Sequence, residues 1–373
     1  MGPLFERSWV GYLLSFVVAT GLSVAVTPLL IRTAVRRGIL DHPSGHKSHV
    51  RPTPYLGGLA IVLGFVVAVV GAAALRVAAG SSTGGLVELA TILSVSLVLA
   101  LVGLLDDLRG LPVVVRFGTQ LVAALVLWWA GIAVDLFPWE VAGVRVLDLA
   151  ITIVWVVGIT NAMNLLDNMD GLSAGIAVIA SLWFGLIGAL NGQILVASLS
   201  FALGGAALGF LRQNRPPARI YMGDTGSLFL GVMLASIGIK LEFTTDAVVA
   251  SLIPILVLTV PVMDTTLVVI ARLKHGLSPF QGGRDHISHR LVRVGIPVPV
   301  AVLLIIGAGI AHGWMALIVS RLDLTTALLA AGLTFAIDLV LFVLLAKVPV
   351  YDNSRGRDLV ITRRERVLEE RTH

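Results

Sequence analysis

Residues 149–175 read LAITIVWVVGITNAMNLLDNMDGLSAG. The first part is apolar apart from two threonines, and apolar chain resumes at Leu172. Between them Asn161, Asn164, Asp167, Asn168 and Asp170 crowd into ten residues. The flanks suit lipid, so these polar groups mark the end of a membrane span. If the helix continues through them, the three asparagines lie within roughly 60° of one face with Asp167 beside them. Gly171 then lets the chain turn into the next span. Asparagines also hydrogen-bond between helices inside a membrane, a role that accounts for them better than for the aspartates.

The rest of the chain supports a membrane reading. Of 373 residues, 57% are hydrophobic and only 13% charged, and the mean hydropathy is +0.96. That is too little charge to cover the surface of a soluble protein. Apolar runs long enough to cross a bilayer occur near 9–31, 55–79, 89–105, 117–134, 149–166, 172–190, 195–211, 225–239, 248–270, 297–318 and 324–346. The fold expected is an all-α integral membrane protein, a polytopic bundle of about eleven transmembrane helices over residues 1–346, with a charged, solvated tail over 347–373. Eleven spans put the termini on opposite sides. One side then holds 22 of the 27 Lys and Arg, which by the positive-inside rule makes it cytoplasmic, with the N-terminus out and the C-terminus in. The excess of basic residues, net +5, is thereby read as orientation and contact with membrane lipid headgroups, with no nucleic acid partner. Without cysteine there is neither a disulfide framework nor a thiolate metal site.

Acidic and polar motifs gather at the ends of spans on the basic side. LVGLLDDLRG places Asp106 and Asp107 at the end of the third span. Adjacent carboxylates repel unless a cation joins them, and on a helix they point about 100° apart, so the two are expected to bind different groups. RIYMGDTGSLFLG, residues 219–231, offers Asp224 as a hard oxygen ligand beside Tyr221. Thr225 or Ser227 is expected to cap the next helix, whose N-terminus would face an anion such as phosphate. LKHGLSPFQGGRDHISHRLVRVG, residues 273–295, holds Arg284, Asp285, His286, His289 and Arg290. Histidines three apart can share a helical face and contact phosphate, or one can ligate metal; with oxygen ligands abundant, phosphate contact is favoured. DHPSGHKSHVRPTPYLGG, residues 41–58, brings Lys47 and His49 to the same side. Within spans, Asp264 after Pro261 and Asp338 are ionisable groups in apolar surroundings, of which Asp264 is the stronger site candidate. Hard oxygen ligands with cationic side chains are what metal-dependent phosphoryl transfer needs, and a mouth at the membrane surface receives one lipid-borne and one water-soluble substrate.

In this order and at these span ends, LLDDLRG, NAMNLLDNMDGLSAG, YMGDTGSLFLG and SPFQGGRDHISHRL resemble the polyprenyl-phosphate N-acetylhexosamine-1-phosphate transferase superfamily (glycosyltransferase family 4), over about His46 to Arg293. The resemblance implies attack by undecaprenyl or another polyprenyl phosphate on the β-phosphorus of a UDP-sugar, releasing UMP, in the inner (cytoplasmic) membrane, with the active site at the cytoplasmic face. It implies a Mg²⁺ cofactor, with Mn²⁺ as the alternative, held by Asp224 and organised by Asp107. Asp106 acts toward the lipid phosphate. Asp167 and Asp170 fall in the catalytic motif, and Asn164 with Asp167 at its nucleotide-binding positions. Asn168 sits in the donor pocket, and Tyr221 is where an aromatic ring stacks on uracil. His286 and His289 match outer positions of the histidine motif, whose neighbours Arg284 and Arg290 face substrate. Lys47 and His49 match the KxH loop, and Arg116 stands where lysine is common. Self-association as a homodimer is left open.

Two positions depart from the pattern. Ser288 replaces the central histidine of HHH or HxHH, and Asn168 stands where glycine is frequent. The missing histidine favours a branch that starts cell-envelope polysaccharides from UDP-N-acetylglucosamine, and Asn168 is expected to alter the sugar or nucleotide pocket. The phospho-N-acetylmuramoyl-pentapeptide transferases are the runner-up. A secondary transporter or channel is the alternative of another class, although most carboxylates lie at one face and not mid-span.

Overall fold

The computed structural model describes residues 3–41, 52–80, 85–137, 145–243 and 246–351. Lys47 and His49, and the tail from 352 onward, lie outside the described residues. The helices are α1 (Pro3–Arg37), α2 (Gly57–Ala78), α3 (Leu86–Arg109), α4 (Val113–Trp129), α5 (Val146–Leu166), α6 (Leu172–Leu190), α7 (Ile194–Asn214), α8 (Gly223–Ile239), α9 (Ala247–Val257), α10 (Thr259–Lys274), α11 (Ile287–Arg293), α12 (Val298–Val319) and α13 (Leu324–Ala346). Among the described residues eight are long and apolar enough to cross a bilayer. A ninth span results if α9 and α10 are taken as one broken crossing. The chain is thus an all-α multi-pass membrane protein, and two of the expected spans, α4 and α8, are shorter helices.

The run at 248–270, read as one span, is two helices bent by 73° at Leu258. Pro261 has no N–H to offer the carbonyl four residues back, and its ring would press on Val257, so the ladder breaks just before it.

Helix α8 is the centre of the bundle, buried without interruption from Thr225 to Gly238 and packed on α2, α3, α5, α6 and α7. In lipid no hydrophobic gain drives helices together, so close backbone approach must do so. Gly103 on α3 lies against the start of α8, where a Cβ would come within 2.3 Å of the Asp224 carbonyl oxygen. The outer helix α13, by contrast, buries only Ala327, Ala331 and Asp338. Asp338 is paired with His312 of α12 at 3.0 Å, which explains an acid at mid-span without a site.

A two-stranded antiparallel ribbon, β1 (Leu40–Asp41) with β2 (Thr53–Pro54), caps this end of the bundle. The Tyr221 amide donates to the Pro54 carbonyl at 2.8 Å, and the amides of Gly57 and Gly58 donate to Tyr221 and Met222. The segment before α8 is thereby laced to the ribbon, and Tyr55 and Tyr221 are brought to one place.

Gly103→Ala is expected to force α3 from α8. Overpacking of this kind costs about 1–3 kcal/mol, so the apparent Tm in detergent should fall by several degrees. A variant as stable as wild type would contradict this close packing.

Candidate active site

A polar cavity of about 540 Å³ opens where the ends of α3, α5, α7, α8 and the ribbon meet. The turn after α5 builds its floor. The helix stops at Leu166, with Asp167 as its C-cap at φ −78°, ψ 45°. The single polar stripe expected from a continuing helix is therefore split. Asn161 donates to Gln120 and to the Val157 carbonyl, away from the polar cavity. Asn164 donates to Asp224 Oδ1 and Ser227 Oγ, each at 2.8 Å. Asp167, Asn168 and Asp170 turn toward the cavity. Gly171 takes φ +75°, and its amide donates to Asn214 Oδ1 at 3.0 Å, so the end of α7 holds the turn in place. Asp170 Oδ2 accepts from the Ala218 amide at 2.8 Å.

The two adjacent aspartates do bind different groups. Asp107 Oδ1 accepts from the Asp224 amide at 2.7 Å. Its Oδ2 accepts from the Thr225 amide at 3.0 Å and the Thr225 hydroxyl at 2.7 Å. Asp107 is thus the N-terminal cap of α8, supplied from another helix. Neither Thr225 nor Ser227 caps it, and the anion expected there is this carboxylate. Gly223, at φ +65°, is required for the contact, because a Cβ would sit 2.5 Å from Asp107 Oδ2. Asp106 instead accepts from the Leu111 amide and from Arg116 Nη1 at 3.0 Å. The same Nη1 lies 2.7 Å from Asp224 Oδ2, so one guanidinium joins the DD motif to the GD motif.

The histidine loop divides. Gly283, Arg284 and His289 line the cavity. His286 and Arg290, expected against substrate, do not. His286 is buried with Nδ1 2.7 Å from Asp264 Oδ2, while Asp264 Oδ1 accepts from the Ile287 amide. Asp264 is therefore the anchor of this loop and not a cavity residue. Arg290 faces away, donating to the carbonyls of Asp285, Leu345 and Val348, each at 2.9 Å. Its direction follows from the carbonyls at the end of α13 and just after it, which a guanidinium satisfies. Ser288 donates to Asn168 Oδ1, so the two positions that depart from the family pattern are bonded to each other. Asp41, Tyr55 and Asn214 also line the cavity. Pattern reading passed over them because each is a single polar residue whose place depends on the ribbon or on the end of α7.

Burial first, then the charges of Asp224, Asp107 and Asp170, push the Asp167 carboxyl up to about 8. Burial, followed by the Asp170 charge, pushes Tyr221 up to about 12, so it stays a phenol. His289 falls to about 4 through burial and then the neighbouring His286 and Arg284, and is neutral at physiological pH. Among the described residues no three carboxylates or imidazoles converge as a ready-made metal cage. Mg²⁺ needs only one or two protein carboxylates when substrate phosphates and water complete its shell. Asp224, which lines the cavity, fits that requirement as one such ligand, whereas Asp107, expected beside the metal, has both oxygens engaged by the first turn of α8.

The sequence matches the family described as glycosyl transferase family 4 over residues 89–242. It is 33% identical over 306 residues to the probable undecaprenyl-phosphate N-acetylglucosaminyl 1-phosphate transferase of Bacillus subtilis, covering 81% of this chain and 83% of that one. The chain belongs to glycosyl transferase family 4. It is a phosphoglycosyltransferase. A decaprenyl-phosphate N-acetylglucosaminephosphotransferase of Mycolicibacterium smegmatis is 34% identical over 81% of this chain and 79% of its own length. A phospho-N-acetylmuramoyl-pentapeptide-transferase of Streptococcus pyogenes is 34% identical over 51% of this chain and 60% of its own.

The state of Asp167 makes a pH prediction. Unfolded, its carboxyl titrates near ~4; folded, at about 8. The unfolded chain loses this proton first, so the folded state loses stability as pH rises through that window. Asp167→Asn should leave the apparent Tm almost unchanged at the acid end and raise it increasingly up to about pH 8, with no further gain above, measured in detergent with chelator. An equal effect at both ends would contradict the shift.

Proposed function

We propose that this enzyme transfers a sugar 1-phosphate from a UDP-sugar to undecaprenyl or another polyprenyl phosphate, releasing UMP, and that the sugar is N-acetylglucosamine. The observation that carries this reading is the position of Arg116. It lines the polar cavity and also a second, largely apolar groove of about 330 Å³ between α4, α5 and α10, walled by Phe117, Val157, Leu228 and Val269. A lipid phosphate suits this junction, with its chain in the groove and its head at a guanidinium that already bridges Asp106 and Asp224. The donor then occupies the polar cavity. Tyr221 and Tyr55 offer flat rings for uracil. The neutral His289 and the cationic Arg284 face the diphosphate.

An oxygen of the acceptor phosphate attacks the β-phosphorus. The bond from that phosphorus to the bridging oxygen breaks, and UMP leaves with the oxygen. Charge grows on phosphate oxygens, which Arg116 and Arg284 oppose from fixed positions. Asn164 holds Asp224 by one oxygen, and Asp107 holds the backbone on which Asp224 sits. Bound at Asp224, Mg²⁺ would neutralise charge on the phosphates of the donor. Asp106 faces the acceptor as the group that accepts a proton from a singly protonated lipid phosphate.

The eight long helices, the bent pair and the short apolar helices α4 and α8 together make eleven segments. Crossed in turn they give the topology with N-terminus out and C-terminus in, in the cytoplasmic membrane, with the motifs facing the cytoplasm. N-acetylglucosamine is favoured over the muramoyl-pentapeptide donor because the relatives that cover four fifths of the chain carry that sugar in their names.

UMP release by the purified enzyme should depend on Mg²⁺ and on polyprenyl phosphate, and be fastest with UDP-N-acetylglucosamine among UDP-N-acetylglucosamine, UDP-N-acetylgalactosamine and UDP-N-acetylmuramoyl-pentapeptide. Asp224→Asn and Arg116→Ala should each lower kcat by on the order of 10²-fold or more. Full activity of either variant would remove its assigned role, and solute flux without UMP release would favour a transporter.

A further inference from the structure

Residues 347–351 follow α13 and were expected to begin a solvated tail. They are folded onto the underside of the histidine loop. Arg290 Nη1 donates to the Leu345 and Val348 carbonyls at 2.9 Å, and Arg293 Nη1 to the Pro349 carbonyl at 3.1 Å. Val350 is buried. At the end of this strap the Tyr351 hydroxyl donates to Asp285 Oδ2, while the ring packs on His275 with centroids 4.4 Å apart.

Asp285 is fully buried. Arg272 holds it as a fork, Nε to Oδ2 and Nη2 to Oδ1, both at 2.8 Å, and reaches the Pro279 carbonyl with its remaining arm at 2.6 Å. A buried carboxylate needs its lone pairs satisfied beyond the ion pair itself. Tyr351 supplies that further donor from a segment 66 residues away. Asp285 lies next to Arg284 and four residues before His289, the two side chains of this loop that face the polar cavity. On its other side the loop is tied through Asp264, to His286 and Ile287, and through Ser288 to Asn168. Arg284 and His289 are thus presented between two buried carboxylates, one of which depends on the strap that follows α13.

We propose that Tyr351 is a positioning residue: acting through Asp285, it holds Arg284 and His289 in register with the diphosphate of the nucleotide-sugar donor. The proposal rests on the donor placement given above. It makes the packing of α13 and its strap a determinant of donor affinity, although neither lines the cavity.

The test is Tyr351→Phe, which keeps the ring against His275 and removes only the hydroxyl. Steady-state transfer should show the KM for UDP-N-acetylglucosamine raised roughly three- to tenfold, the loss of about one hydrogen bond, with the KM for polyprenyl phosphate within twofold. In the same protein, hydrogen exchange at the Ile287 and Arg290 amides should accelerate. Asp285→Asn should raise the donor KM as well, and adding Tyr351→Phe to it should have little further effect. An unchanged donor KM with unchanged exchange overturns the proposal. So does a parallel loss of folded protein and kcat with both KM values preserved, which a purely structural role would produce. If the wild-type enzyme fails to use any UDP-sugar, the donor assignment fails, while the exchange experiment still decides whether Tyr351 holds the loop.

Discussion

The site depends on one interaction, the Asp107 carboxylate capping the first turn of α8. Two backbone amides and a hydroxyl converge on it, and hydrogen bonds to a charged group contribute about 1.5–3 kcal/mol each. The cap fixes where α8 begins and therefore where Asp224 stands. Asp224 in turn is gripped by Asn164 of α5 and Arg116 of α4. Four helices thus share one polar knot at the end of an otherwise apolar bundle. Glycine contacts, such as that of Gly103 of α3 with the start of α8, let the backbones come close enough to make these bonds.

The same arrangement separates two environments. On one side of Arg116 the walls carry carboxylates and tyrosines; on the other they are mostly valine, leucine and phenylalanine, with Gln120, Asn161 and Asn164 among them. An enzyme joining a soluble donor to a lipid acceptor needs this division at a single point, because the reacting phosphates must meet while their other halves stay in different solvents. Desolvation and the neighbouring carboxylates also explain why Asp167 is held up to about 8: four carboxylates crowded into one site do not all stay charged without further cations.

The histidine loop follows a different logic. Its inward residues, Asp285, His286 and Arg290, are engaged with Arg272, Tyr351, Asp264 and the end of α13, and its outward residues face the cavity. Ser288, in the place of a family histidine, donates to Asn168 in the place of a family glycine. Two departures that look separate along the chain form one contact between the turn after α5 and α11, beside the polar cavity that Asn168 lines.

Much of this was legible in the residues alone. Apolar runs of spanning length, the gathering of basic residues on one side and the DD, NxxNLLDN, GD and histidine motifs determine a membrane enzyme with an acidic mouth, because lipid and phosphate each demand particular residue types. The reading did not determine which of two neighbouring side chains does what. Asp107 caps and Asp106 faces Arg116, while Arg284 faces the cavity and Arg290 a helix end. Pro261 broke a span that composition alone reads as continuous. These assignments were decided by the tertiary structure, because a side chain's direction follows from what packs against it, and the partners lie as far away as Asp107 from Asp224 or Tyr351 from Asp285.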